Sequence, residues 1–319
     1  MLVKLFIVTP IRFICTVRNW PWVWRFLNRR GRREWRMRVS QLNSIQQRIV
    51  DDLKRDGIAM THIDELFPGE NMLSKLQGYM QTIRPDASIW HTKTFLTKLW
   101  DRRALLDFNN PYLGFALDSR IIAIVNAYLE MFTKFYYFTL NVTTPVPEGS
   151  EERQSQRWHR DPEDRTTCKM FLYLNDVDEE TGPFIYIPGS HPDGKWGKLF
   201  PRKWPKGVYP SKEEISRVIP ASAIKRCTGK QGTIIFCDTT GIHKGGYALL
   251  RERFMFTSGF YSSASIRLIP FEHGKSVQEK FSFLDPAVQF ALTPPPKKII
   301  STAFFRFKKS FIASGYEED

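Results

Sequence analysis

Apolar positions recur at helical spacing through the first third of the chain. In SQLNSIQQRIVDDLKRD (40–56), Leu42, Ile45, Ile49 and Leu53 fall on one stripe, and Gly57 supplies a stop. GIAMTHI then reads as a short strand, residues 69–83 as a second helix, and DSRIIAIVNAYLEMF (118–132) as a strongly apolar third. At KFYYFTLNVT (134–143) the pattern changes: β-branched and aromatic residues mark a strand. Beyond it come CKMFLYLND (168–176), GPFIYIPGS (182–190), GTIIFCDTT (232–240) and RFMFTSGFYS (253–262), short strand candidates separated by Pro and Gly turns. With no helices alternating between them, these segments predict an α+β chain with a mainly β core, a sandwich or jelly roll rather than a βαβ fold. Residues 192–214, rich in Pro, Gly and Lys, read as the irregular part of an insertion spanning 192–230, the kind of loop that often forms a lid.

Charge divides the chain differently. The 319 residues carry a formal net charge of +14, but residues 1–40 hold ten Lys or Arg against the single acid Glu34. Residues 297–309 add five more basic side chains, while 41–296 have 32 basic against 29 acidic. A near-neutral body speaks against a nucleic-acid enzyme, which needs a basic groove. Three parts follow: a basic, aromatic segment 1–39, a body 40–290, and a basic amphipathic tail 291–319. In the first, Lys4, Pro10 and Arg12 interrupt the apolar run, so no stretch of about 18 apolar residues is available to span a bilayer. Trp20, Trp22, Trp24 and Phe26 beside Arg25, Arg29, Arg30, Arg32 and Arg33 suit an interfacial anchor on an anionic membrane; a basic arm packed on its own domain or a partner is the competing reading, and an organelle transit peptide a lesser one. Lys195, Lys198, Arg202, Lys203 and Lys206 in the insertion read either as a solvated loop or as a site for an anionic headgroup. Cys15, Cys168, Cys227 and Cys237 show no framework spacing, which points to a reducing compartment such as the cytoplasm.

The chemistry concentrates in QRWHRDPED (156–164). Side chains two apart on an extended segment share a face, so His159 and Asp161 could chelate one ion, with Arg160 pointing the other way. Two imidazoles and a carboxylate on one face leave open positions on a divalent metal, the arrangement of non-haem Fe(II) oxygenases. The third donor has to be another histidine. His62, His91 and His273 lie outside the strand region, leaving His191 at a Pro-Gly turn and His243 after an apolar strand. The other charges, Arg157, Arg160, Glu163, Asp164 and Arg165, read as a solvated rim, and Trp158 as a core aromatic.

QRWHRD, TGPFIYIPGSH, DTTGIHKGG and an arginine about ten residues on, opening a strand, occur in that order. The series resembles the phytanoyl-CoA dioxygenase family of Fe(II)/2-oxoglutarate oxygenases over roughly residues 40–265, most specifically 156–261. The resemblance implies a double-stranded β-helix, a cupin-like jelly roll with flanking N-terminal helices. It implies Fe(II) on His159, Asp161 and His243, with 2-oxoglutarate as cosubstrate and O₂ as oxidant, giving succinate, CO₂ and a hydroxylated product. Arg253 would pair with the distal carboxylate of 2-oxoglutarate, Arg251 being the rival by strand parity, and Asn141 would assist. Gly245 stands where some relatives carry a serine near the cosubstrate. Asp161 occupies the place of the carboxylate that halogenating relatives lack, which argues for hydroxylation. The implied substrate is a small molecule, lipid-linked if the termini meet a membrane; the competing function is an inactive jelly-roll adaptor that binds membrane or an anionic partner through its basic ends.

Overall fold

The computed structural model describes residues 13–83, 95–99, 105–202, 208–265 and 271–294. Among the described residues eleven strands are formed: β1 (Ile58–His62), β2 (Leu96–Lys98), β3 (Leu105–Leu106), β4 (Lys134–Thr143), β5 (Cys168–Tyr173), β6 (Phe184–Tyr186), β7 (Lys225–Cys227), β8 (Thr233–Cys237), β9 (His243–Gly245), β10 (Arg253–Tyr261) and β11 (Glu272–His273). Six of them make an antiparallel sheet in the order β1-β8-β5-β10-β4-β2, and three a smaller sheet, β7-β6-β9. β3 and β11 pair separately.

Strand alternation fixes what each face of the large sheet meets. On β5, Cys168, Met170 and Leu172 join the core under the helices, whereas Phe171 and Tyr173 point into the space between the sheets. β10 repeats the rule, with Phe256 and Phe260 toward the helices and Met255 inward. The inner cluster draws on both sheets, joining Ile58, Phe171, Tyr173, Ile235, Cys237 and Met255 to Phe184, Tyr186 and Cys227. Two antiparallel sheets closed over such a core are a jelly roll.

Helices Ser44–Asp56 and Ser119–Leu129 cover the outer face with Ile49, Val50, Leu53, Ile121, Ile124 and Val125. The first begins in a capping box, Asn43 accepting from the Gln46 amide while the Gln46 side chain accepts from that of Asn43. It ends at Gly57 (φ 75°), whose left-handed conformation turns the chain into β1; a Cβ there would come within 2.5 Å of the Tyr186 hydroxyl.

Residues 13–38 pack against this body rather than standing apart from it. Trp24 is buried and donates its indole N–H to Asp164 at 2.7 Å, the Arg18 guanidinium donates to the Ser265 carbonyl, and Asn28 accepts from the Ala264 amide at 3.0 Å. The packed-arm reading thus describes the inner side of this segment. Asp164, 2% exposed, is a clamp and not part of a solvated rim. No helix among the described residues is long and apolar enough to cross a membrane. The basic stretch 297–309, with Lys203, Lys206 and His91, lies outside the described residues.

Candidate metal centre

His159 and His243 are brought together by backbone, not by side-chain attraction. Each donates its amide to the other's carbonyl, at 2.9 and 3.0 Å, so the two residues form one antiparallel bridge and their rings stand 4.1 Å apart. The Asp161 amide donates to the Thr239 carbonyl at 2.9 Å, which locks the ligand segment to the turn leading into β9. That turn is built on Asp238, fully buried, which accepts from Thr240, Thr167 and the Tyr128 hydroxyl.

The ring orientations suit a metal. Nδ1 of His159 lies 2.8 Å from the Arg157 carbonyl, and Nδ1 of His243 lies 3.0 Å from the Gly241 carbonyl. A carbonyl can only accept, so each Nδ1 carries the proton and each Nε2 keeps its lone pair. Those two Nε2 atoms lie 3.8 and 3.9 Å from the two oxygens of Asp161, and one ligand atom from each of the three residues fits within 4.8 Å. Burial, reinforced by the neighbouring His159 ring, pushes His243 down to about 3, so it stands ready as a neutral ligand. Burial alone would raise Asp161, but Lys169, His243 and His159 outweigh it and hold the carboxyl well below the usual range. His159, Asp161 and His243 thus form a metal-binding site of two imidazoles and a carboxylate, a donor set that fits Fe(II).

Three neighbours of this site go beyond the sequence reading. Lys169, on the inward face of β5 with Phe171 and Tyr173, donates to Asp161 Oδ2. Its parity on CKMFLY is the signal that could have found it. The Tyr209 ring stacks on His159 at 5.8 Å and 17°, carried there by the insertion. Arg160 does point away from the metal side, but it is not rim: it is 2% exposed and donates to the carbonyls of Ser190, Thr240, Trp196 and Leu199. The insertion is therefore folded onto the ligand segment, with Trp158, Trp196, Leu199 and Phe200 in one apolar cluster. Arg202 is likewise enclosed, donating to the Asp164 and Arg165 carbonyls.

His191 is buried, not exposed at its turn, with Nε2 3.2 Å from the Lys54 carbonyl and no place in the metal group. Arg253 opens β10 opposite Thr143, is 4% exposed, and donates to the Gly182 carbonyl and, at 3.2 Å, to the Thr143 hydroxyl; its Nε has no partner. Asn141 faces Met255 across the same strand pair and is buried beside Thr139. Arg251 does not share that face. It precedes the strand, is exposed and pairs with Asp178 and Glu180 on the surface.

Residues 98–248 match the family model described as Phytanoyl-CoA dioxygenase (PhyH). Over these residues the chain is similar to that family. All three metal-site residues lie within the PhyH match, and Arg253 lies just beyond it. Among solved structures, EctD from S. alaskensis with bound Fe is similar at 18% identity, with 71% of this chain and 81% of that one covered and a TM-score of 0.50, which supports the jelly-roll fold. AviO1 from Streptomyces viridochromogenes Tue57 (16% identity, 71% and 98% covered, TM-score 0.46) and the epimerase SnoN in complex with Fe3+, alpha ketoglutarate and nogalamycin RO (13%, 69% and 84%, 0.47) also align. No curated protein sequence matches the chain. The PhyH match together with the His159–Asp161–His243 site supports an oxygenase-type enzyme of the iron and 2-oxoglutarate class.

Proposed function

We propose that the chain hydroxylates an unactivated C–H bond of a small molecule, using Fe(II), 2-oxoglutarate and O₂. The observation that carries this reading is the convergence of two Nε2 lone pairs, each fixed by a carbonyl behind its ring, on the side where Asp161 sits. Iron with 2-oxoglutarate and O₂ supplies, when bound, oxidation of the target carbon with release of succinate and CO₂.

The chain's own residues do the rest. His159, Asp161 and His243 would hold the ion, and Lys169 donates to Asp161 Oδ2, so Oδ1 would be the oxygen offered to it. Arg253, buried with an unpartnered Nε, supplies a planar fork for the distal carboxylate of the cosubstrate, and Asn141 stands on the neighbouring strand to assist. Phe171, Phe184 and Met255 keep water from the space between. The presence of Asp161 favours hydroxyl over halide transfer.

The test is succinate formation and calorimetric binding with purified protein. We expect His159→Ala to lose both Fe(II) binding and succinate release. Arg253→Met should keep the metal but lose about 100-fold in 2-oxoglutarate affinity, as expected for an unpaired carboxylate, and Arg251→Met should change neither. Wild-type protein that binds no Fe(II) and no 2-oxoglutarate would leave the adaptor reading standing.

A further inference from the structure

The N-terminal segment has two unlike sides. Trp24 is buried, but Trp22 and Phe26, one helical turn apart on Pro21–Leu27, are 67% and 60% exposed, and Trp20 is 44% exposed. These rings form one patch: Trp20 and Trp22 lie 6.1 Å apart, and the Arg29 guanidinium sits 4.3 Å over Phe26. Phe13 adds a fourth exposed ring, at 65%. Around them Arg25, Arg29, Arg30, Arg33 and Arg36 are exposed, and the sole acid of the segment, Glu34, is taken by Arg38.

A soluble surface seldom presents several large aromatic rings together; such a patch marks a contact. Its shape and charge choose the partner. The patch is the outer side of a short helix, not a groove that could track a nucleic-acid backbone. Rings that sink to headgroup depth, ringed by guanidinium groups on long stems, fit an anionic bilayer surface.

We propose that this face docks the protein on an anionic lipid surface. The segment is held rigidly: its buried side is fixed through Trp24 to Asp164, three residues past the metal-site residue Asp161, and through Arg18 to Ser265, just beyond β10. The docked surface therefore lies at the metal end of the jelly roll, which brings lipid or lipid-linked molecules to the site. The docking itself does not depend on the proposed reaction.

The experiment is co-sedimentation of the full chain with phosphatidylcholine vesicles, with and without phosphatidylserine. The wild type should bind the anionic vesicles preferentially, and less so at high salt. Trp22→Ser with Phe26→Ser should lower that binding roughly tenfold or more while leaving Fe(II) binding and thermal unfolding unchanged, because both rings are exposed. Arg25→Gln and Arg33→Gln should each cost about fivefold, on anionic vesicles only. Absent vesicle binding, or vesicle binding unmoved by the double variant, overturns the proposal. So does a wild-type oligomer that the double variant dissociates without change in vesicle binding, which would make a second copy the occupant, or binding of single-stranded RNA in place of vesicles.

Discussion

Lys169 has two roles that can be separated by adding metal. Without an ion it is the cation that balances Asp161 in an enclosed site, so Lys169→Met leaves a buried carboxylate unpaired. Unfolding in urea should show a loss of about 3 kcal/mol for the metal-free variant, and Co(II) should recover most of it by replacing the missing positive charge. A loss equal with and without metal would mean that Lys169 only packs. His243 sets a pH dependence in the same state. Its folded value, about 3, lies below the ordinary 6.5, so the unfolded chain takes up the proton first as pH falls. The contribution is complete above pH 6.5 and is lost as pH falls from there toward 3, which urea midpoints at neutral pH and at roughly pH 5 will read.

At the scale of elements, the long segments and the short strands β1 and β6 were legible, and β9 and the isolated bridges were not. Ile45, Ile49 and Leu53 on the helix (Leu42 falls just before its Asn43 cap), the apolar run 119–129 and the β-branched and aromatic runs on β4, β5, β8 and β10 are long enough to declare their type. β9, with three residues, and the bridges at His159 and Arg160 have no period at all; they exist because a partner strand is present. For that reason H-x-D and the turn before His243 could be named from their motifs, but the reciprocal bridge that joins them could not. Arg160 reads as rim because a lone arginine in a charged run gives no sign of four carbonyls waiting on distant segments, two of them in the insertion. Two substitutions test these joints. Arg160→Met should destabilise by about 3 kcal/mol and speed tryptic cleavage at Lys195 and Lys198, since it frees the insertion from the ligand segment. Gly57→Ala should cost at least about 2 kcal/mol, from its left-handed φ and the collision with Tyr186 and His191, as thermal unfolding will show.

Across the whole molecule, composition indicated a neutral body with basic ends but not that the N-terminal end would be half core and half surface. Trp20, Trp22, Trp24 and Phe26 look alike in a sequence; only the position of Asp164 sends Trp24 inward. The cysteines complete the picture. All four are buried, and burial pushes the Cys227 thiol up to about 12, so the folded protein should give no fast reaction with a disulfide reagent and four equivalents once unfolded.

The contact from Arg18 to Ser265 spans 247 residues of chain. At about 5–20 residues per second on the ribosome, roughly 12–50 s pass between synthesis of the arginine and of its acceptor. Through that interval the tryptophan-rich segment lacks part of the body it closes on, and its own arginines must keep it in solution. Residues 13–38 are thus made well before part of the body they fasten to, and they fasten beside the metal site.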